Sequence, residues 1–127
     1  MRILLDTRVF LWATMASGKL AKPARDLIET AEEVWVSSAS IWEIALKIPL
    51  GRVDANVDEV AAAIEASGFR ELPVTAQHAA AVSRLPAYHT DPYDRLLLAQ
   101  AVTEPLRLLT ADPSLRRYSE LVIIAQP

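Results

Sequence analysis

Four short apolar runs punctuate the chain, and each has the length and β-forming content of a buried strand. They cover residues 2–6, 34–37, 107–110 and 121–124. A fifth run, residues 69–74, is weaker, because Pro73 lacks the N–H that a central ladder needs and so predicts an end near the sheet edge. Between these runs lie segments of helical period, residues 23–33, 40–48, 57–67, 76–85 and 92–102, with Gly68 as a stop after the third. Residues 49–52 and 86–90 read as the two main loops. Strands that alternate with helices and are apolar on both faces predict a three-layer α/β/α arrangement around a parallel sheet of four or five strands. No linker, repeat or low-complexity tract interrupts the pattern, so residues 1–127 are expected to form one domain.

Composition narrows the possibilities. The chain is 52% hydrophobic, which excludes disorder and leaves apolar surface for a partner. No apolar run approaches the roughly 20 residues that span a bilayer, and Asp6 and Arg8 interrupt the place of a signal peptide, so a cytoplasmic protein without membrane association is expected. Cysteine is absent, so any metal must be held by oxygen or imidazole. The net charge of −3 argues against broad attraction to a polyanion; binding to nucleic acid would need local basic residues or a bound cation.

The acids supply the candidate chemistry. In open parallel sheets ligands sit beyond the carboxyl ends of the strands, where Asp6 closes the first run and Asp112 follows Leu109-Thr110-Ala111. Each could equally be a helix cap, Asp112 with Pro113 in the favoured first position, and the two roles are compatible. Asp91-Pro92-Tyr93-Asp94 puts two acids in the first turn of an almost wholly apolar helix. Capping explains Asp91, but a carboxylate at position 94 beside buried residues calls for a compensating cation. Glu43 lies among Ile41, Trp42, Ile44, Ala45 and Leu46, with Lys47 one helical turn on as its simplest partner. Four acids converging above the sheet offer hard oxygen ligands suited to Mg²⁺ or Mn²⁺, in outline a site for phosphodiester hydrolysis.

The combination resembles the PIN-domain ribonucleases, and in particular the VapC-type toxins of toxin–antitoxin pairs. It is carried by Leu4-Leu5-Asp6-Thr7, Ser40-Ile41-Trp42-Glu43-Ile44, Leu50-Gly51-Arg52, Leu72-Pro73-Val74, Asp91-Pro92-Tyr93-Asp94-Arg95-Leu96-Leu97-Leu98-Ala99-Gln100-Ala101 and Leu109-Thr110-Ala111-Asp112. The resemblance implies that Asp6, Glu43, Asp94 and Asp112 are the metal-binding, catalytic acids, with Asp91 auxiliary and Thr7 and Thr110 supporting them through their hydroxyls. It also implies one or two Mg²⁺ ions, hydrolysis of RNA to a 5′-phosphate and a 3′-hydroxyl, a homodimer, and an antitoxin that wraps the chain and blocks the acidic site. One position departs from the pattern: such proteins usually carry histidine after the Asp-Thr pair, and this chain has Arg8, which stays charged where histidine titrates.

Arg8 and Arg95, close in sequence to these acids, are the candidate phosphate contacts, ahead of Lys47, Arg52, Arg116 and Arg117. His78 reads as helix packing and His89 as the one histidine to test, while Trp12, Trp35 and Trp42 read as core or interface. Two other readings compete. A receiver-like phosphoacceptor domain needs an aspartate ending a central strand, where Val34-Trp35-Val36 instead runs into Ser37. A catalytically silent PIN-like binding module is disfavoured by retention of all four acids.

Overall fold

The computed structural model describes residues 1–15, 18–88 and 91–125; His89 lies outside them. Its strands are β1 (Arg2–Leu5), β2 (Glu33–Ser37), β3 (Arg70–Leu72), β4 (Arg107–Thr110) and β5 (Val122–Ile124). Its α-helices are α1 (Thr7–Thr14), α2 (Lys22–Thr30), α3 (Ser38–Lys47), α4 (Val57–Ala66), α5 (Ala76–Ala81) and α6 (Pro92–Thr103), and short 3₁₀ segments span Val82–Arg84 and Pro113–Tyr118. All strand pairings are parallel, in the order β3-β2-β1-β4-β5. The weak fifth run does lie at an edge, as β3, and it ends before Pro73.

Successive side chains of a strand point to opposite faces, and the core divides accordingly. Ile3, Leu5, Val34, Val36 and Leu109 face a cluster completed by Val9 and Phe10 of α1, Ala24 of α2, Ile44 of α3 and Val60 and Ile64 of α4. Leu4, Leu72, Leu108 and Val122 face the other way, onto Leu97, Leu98 and Ala101 of α6 with Leu115. The sheet is therefore the middle of three layers. No helix among the described residues is long and apolar enough to cross a membrane.

Helix α5 ends at Ala81, where a 3₁₀ segment continues the helix expected over 76–85, and three other departures from the sequence pattern have identifiable reasons. The pattern predicts no element over residues 7–14, because Thr, Val and Phe are indifferent helix formers. Helix α1 forms there since Asp6 accepts the Val9 N–H at 2.8 Å and the buried faces of Val9 and Phe10 outweigh propensity. The expected helix over 23–33 stops at Thr30, because Glu33 belongs to β2, in register with Arg2 and accepting its Nε–H at 2.8 Å. Helix α3 starts two residues before residue 40, where the Ser37 hydroxyl accepts the Ala39 N–H at 3.0 Å.

The chain passes from β1 to β2 and β3 on one side, then crosses back to β4 on the other. The strand order reverses between β1 and β4, and in parallel α/β sheets the carboxyl ends flanking such a reversal form a crevice. Asp6 leaves β1 and Asp112 follows β4 at this point, and the Asp6 N–H extends the ladder to the Leu109 carbonyl at 3.0 Å.

Candidate active site

A cavity of about 880 Å³ opens beyond these strand ends, lined by Asp6, Glu43, Asp54, Asp91, Asp94 and Asp112. Thr7, Arg8, Lys19, Lys47 and Arg52 also line it, with Leu11, Trp12 and Met15 of the α1 end among its apolar walls. The acids come from the end of β1, from α3, from the loop between α3 and α4, from the start of α6 and from the turn after β4, most of them far apart in the sequence.

Asp6 is the most firmly held. It is only 6% exposed, with Oδ1 accepting from the Val9 N–H and Oδ2 from the Thr110 hydroxyl at 2.5 Å and the Ala111 N–H at 3.1 Å. Burial nonetheless raises its pKa above the ordinary range, against the lowering pull of those hydrogen bonds and of the Arg8 charge. Ionised, it is a buried negative charge in want of a cation. The Thr110 hydroxyl also accepts the Asp112 N–H at 3.1 Å, so one side chain fixes two acids.

Glu43, 7% exposed, is engaged at both oxygens. The Thr7 hydroxyl donates to Oε1 at 2.7 Å and lies 2.9 Å from the Ser40 hydroxyl, while the Lys47 ammonium pairs with Oε2. The simple partnership with Lys47 is present, and Glu43 also lines the cavity. Asp91 caps α6 by accepting the Tyr93 and Asp94 N–H groups at 2.9 and 3.2 Å, which brings Asp94 into the first turn. Asp112 caps the segment Pro113–Tyr118, accepting the Ser114 N–H at 2.9 Å and hydroxyl at 2.7 Å.

A model of the family described as the PIN domain matches residues 3–121. The chain belongs to the PIN domain family. It is 30% identical over 118 residues to Ribonuclease VapC22 of Mycobacterium tuberculosis, a match covering 91% of each chain. Among solved structures, the PIN fold seen here is similar to that in DNA-bound VapBC from Salmonella typhimurium, with a TM-score of 0.71 and 16% identity over 99% of each chain. It is also similar to VapBC2 from Rickettsia felis bound to a promoter DNA fragment, with a TM-score of 0.70 and 15% identity over 98% of this chain and 97% of that one.

Within this PIN domain the expected acids Asp6, Glu43, Asp91, Asp94 and Asp112 meet at one cavity, with Thr7 and Arg8 beside them. Thr110 stands just behind, acting through Asp6. Arg95 is placed differently from Arg8: it does not line the cavity, and its guanidinium donates to the carbonyls of Pro86 at 2.8 Å and Val82 at 3.2 Å, tying α6 to the preceding segment. Arg95 follows Asp94 in sequence but takes a different direction, because consecutive helical side chains point about 100° apart. Lys19 and Asp54 line the cavity without any signal in the sequence, since each sits in a stretch that carries no motif.

The donor set is hard oxygen throughout, which fits a magnesium-class ion. Among the described residues no three acidic or imidazole side chains form a group drawn tightly around an ion. A cation that keeps several waters and takes one or two carboxylates directly suits such an open arrangement.

His78, by contrast, is buried away from the acids. Its Nδ1 accepts the Thr75 N–H at 3.1 Å, which places the ring proton on Nε2, 2.5 Å from Glu104. The packing role read from sequence fits this geometry. Trp12 and Trp35 pack against the two core clusters, whereas Trp42 is exposed and meets Tyr93 edge to face, with centroids 5.3 Å apart.

Proposed function

We propose that this PIN domain is a Mg²⁺-dependent endoribonuclease, acting in the cytoplasm as the toxin of a toxin–antitoxin pair. The observation that carries the reading is the convergence of Asp6, Glu43, Asp91, Asp94 and Asp112 on one cavity in a chain 30% identical to a VapC ribonuclease. Asp6, Asp94 and Asp112, with Glu43 directly or through water, would hold one or two ions, Mn²⁺ serving in place of Mg²⁺. When bound, such an ion lowers the pKa of a coordinated water and offsets negative charge developing on the phosphate.

The chain's own residues prepare the site. The Thr110 hydroxyl and the Val9 and Ala111 N–H groups fix the Asp6 carboxylate, and the Thr7 hydroxyl fixes Glu43, so neither has to be oriented when substrate arrives. Arg8, Lys19 and Arg52 on the cavity wall supply local positive charge in a chain of net charge −3, and they would position the RNA backbone.

Two distinct surfaces would take the proposed partners. Trp42, Leu46 and Leu50 are exposed and spaced four residues apart, an apolar stripe along α3 and just past its end that a second copy would cover in a homodimer. An antitoxin that places a basic side chain among the cavity acids would block the site by charge complementarity. Cleavage of RNA by the purified chain in Mg²⁺, lost in EDTA and lost in a folded Asp94→Asn variant, tests the reading.

A further inference from the structure

Glu43 and Lys47 are one helical turn apart on α3, and both line the cavity. The carboxylate is nearly enclosed, so leaving it ionised without a counterion would be costly. Lys47 meets that need, with its side chain 25% exposed and its ammonium 5.7 Å from the centroid of the Tyr93 ring. Thr7 holds the other carboxylate oxygen. A cation entering the cavity thus meets a Glu43 whose charge is already balanced, by an ammonium on a flexible stem that can withdraw.

Taking the cavity to be the divalent-cation site proposed, we infer that Lys47 is the resident counterion of Glu43. The ammonium holds the Glu43 carboxylate in place in the metal-free chain, and a divalent ion displaces it from Oε2. Lys47 and the ion are alternative partners of one carboxylate. Displacement leaves the ammonium on the wall of the same cavity, beside the aromatic face of Tyr93. Lys47 is a positioning residue on this account, acting through Glu43.

Calorimetric titration with Mn²⁺ of the wild type, Lys47→Met, Glu43→Gln and the double variant tests the inference without any assay of activity. Lys47→Met is expected to unfold at lower temperature without metal, to bind Mn²⁺ about tenfold more tightly, and to gain more in Tm from added Mg²⁺ than the wild type does. The gain should vanish in the Glu43→Gln background, as a pairwise coupling requires. Wild-type protein supplies a second measurement that no folding defect can spoil: amine-reactive labelling of Lys47, read by mass spectrometry against exposed Lys22, should rise when Mg²⁺ is added.

Mn²⁺ affinity that Lys47→Met leaves unchanged or weakens, or labelling of Lys47 that Mg²⁺ does not raise, overturns the counterion role while leaving the metal site standing. Absence of Mn²⁺ binding in both the wild type and Lys47→Met overturns it together with the metal-dependent reading.

Discussion

The Thr110 hydroxyl donates to Oδ2 of Asp6 at 2.5 Å while accepting the backbone N–H of Asp112 at 3.1 Å. A side chain that need not touch substrate thereby sets the position of one acid and the backbone of another. Thr110→Val keeps the shape and removes both bonds, so it should lower the rate of RNA cleavage by about 10–100-fold. The stability cost should be about 1–2 kcal/mol, because a buried carboxylate and an N–H each lose a partner. Thr110→Ser should retain most of the activity. Initial rates and denaturant unfolding of the two variants check this, and a valine variant as active as the serine one would contradict it.

Burial raises the pKa of Asp6 above its ordinary value of 3.8, so the metal-free fold accommodates the protonated acid better than the ionised one. The stability this provides is fully present below the ordinary value and is lost as pH rises through the raised one. The unfolding free energy of the wild type minus that of Asp6→Asn, measured in EDTA, should therefore fall as pH rises from the ordinary carboxylate range. It should then level off above the raised value, the whole fall amounting to about 1.4 kcal/mol for each tenfold by which folding weakens the acid. A difference that grows with pH would show that Asp6 is stabilised in its charged form instead.

Much of the cavity lining is legible in the sequence because a helix cap and an oxygen ligand ask for the same residue types. Asp6, Asp91 and Asp112 do cap, and their caps aim them at the cavity. What pattern cannot supply is tertiary. Helix α1 forms because Val9 and Phe10 find a buried face, a fact about the sheet beneath them. Arg95, adjacent to Asp94 in sequence, turns to the Pro86 and Val82 carbonyls, whereas Lys19, with no motif around it, reaches the cavity wall. Glu33 joins β2 because Arg2 lies opposite, a pairing between residues 31 positions apart.

The His78 imidazole joins α5 to α6 by accepting the Thr75 N–H, approaching Gln100 at 3.3 Å and meeting Glu104. This is a fastening remote from the acids. His78→Ala should cost about 2–3 kcal/mol through the lost cap, the emptied buried site and the loss of the contact to the buried Gln100 amide. Cleavage per folded molecule should stay within a few-fold of the wild type. Chemical denaturation alongside initial rates separates the two effects, and loss of activity without loss of stability would give His78 a part in the chemistry.

The stripe formed by Trp42, Leu46 and Leu50 is exposed in the isolated chain. Leu46→Glu places a charge in its middle and buries none, so fold stability should change by no more than about 0.5 kcal/mol. Sedimentation velocity should show a dimer for the wild type and a monomer for the variant. Equal sedimentation of both would put any self-association on another face.

Whether the acids gathered at the carboxyl ends of β1 and β4 cleave RNA with a divalent ion is decided by one comparison. Purified protein, shown to be folded and free of partner, is incubated with labelled RNA in Mg²⁺ and in EDTA, beside Asp6→Asn in Mg²⁺. Discrete products bearing 5′-phosphate ends, formed only by the wild type with Mg²⁺, are the predicted result. Cleavage that persists in EDTA or in folded Asp6→Asn, or no cleavage by the wild type of any RNA from total cellular RNA, would contradict it.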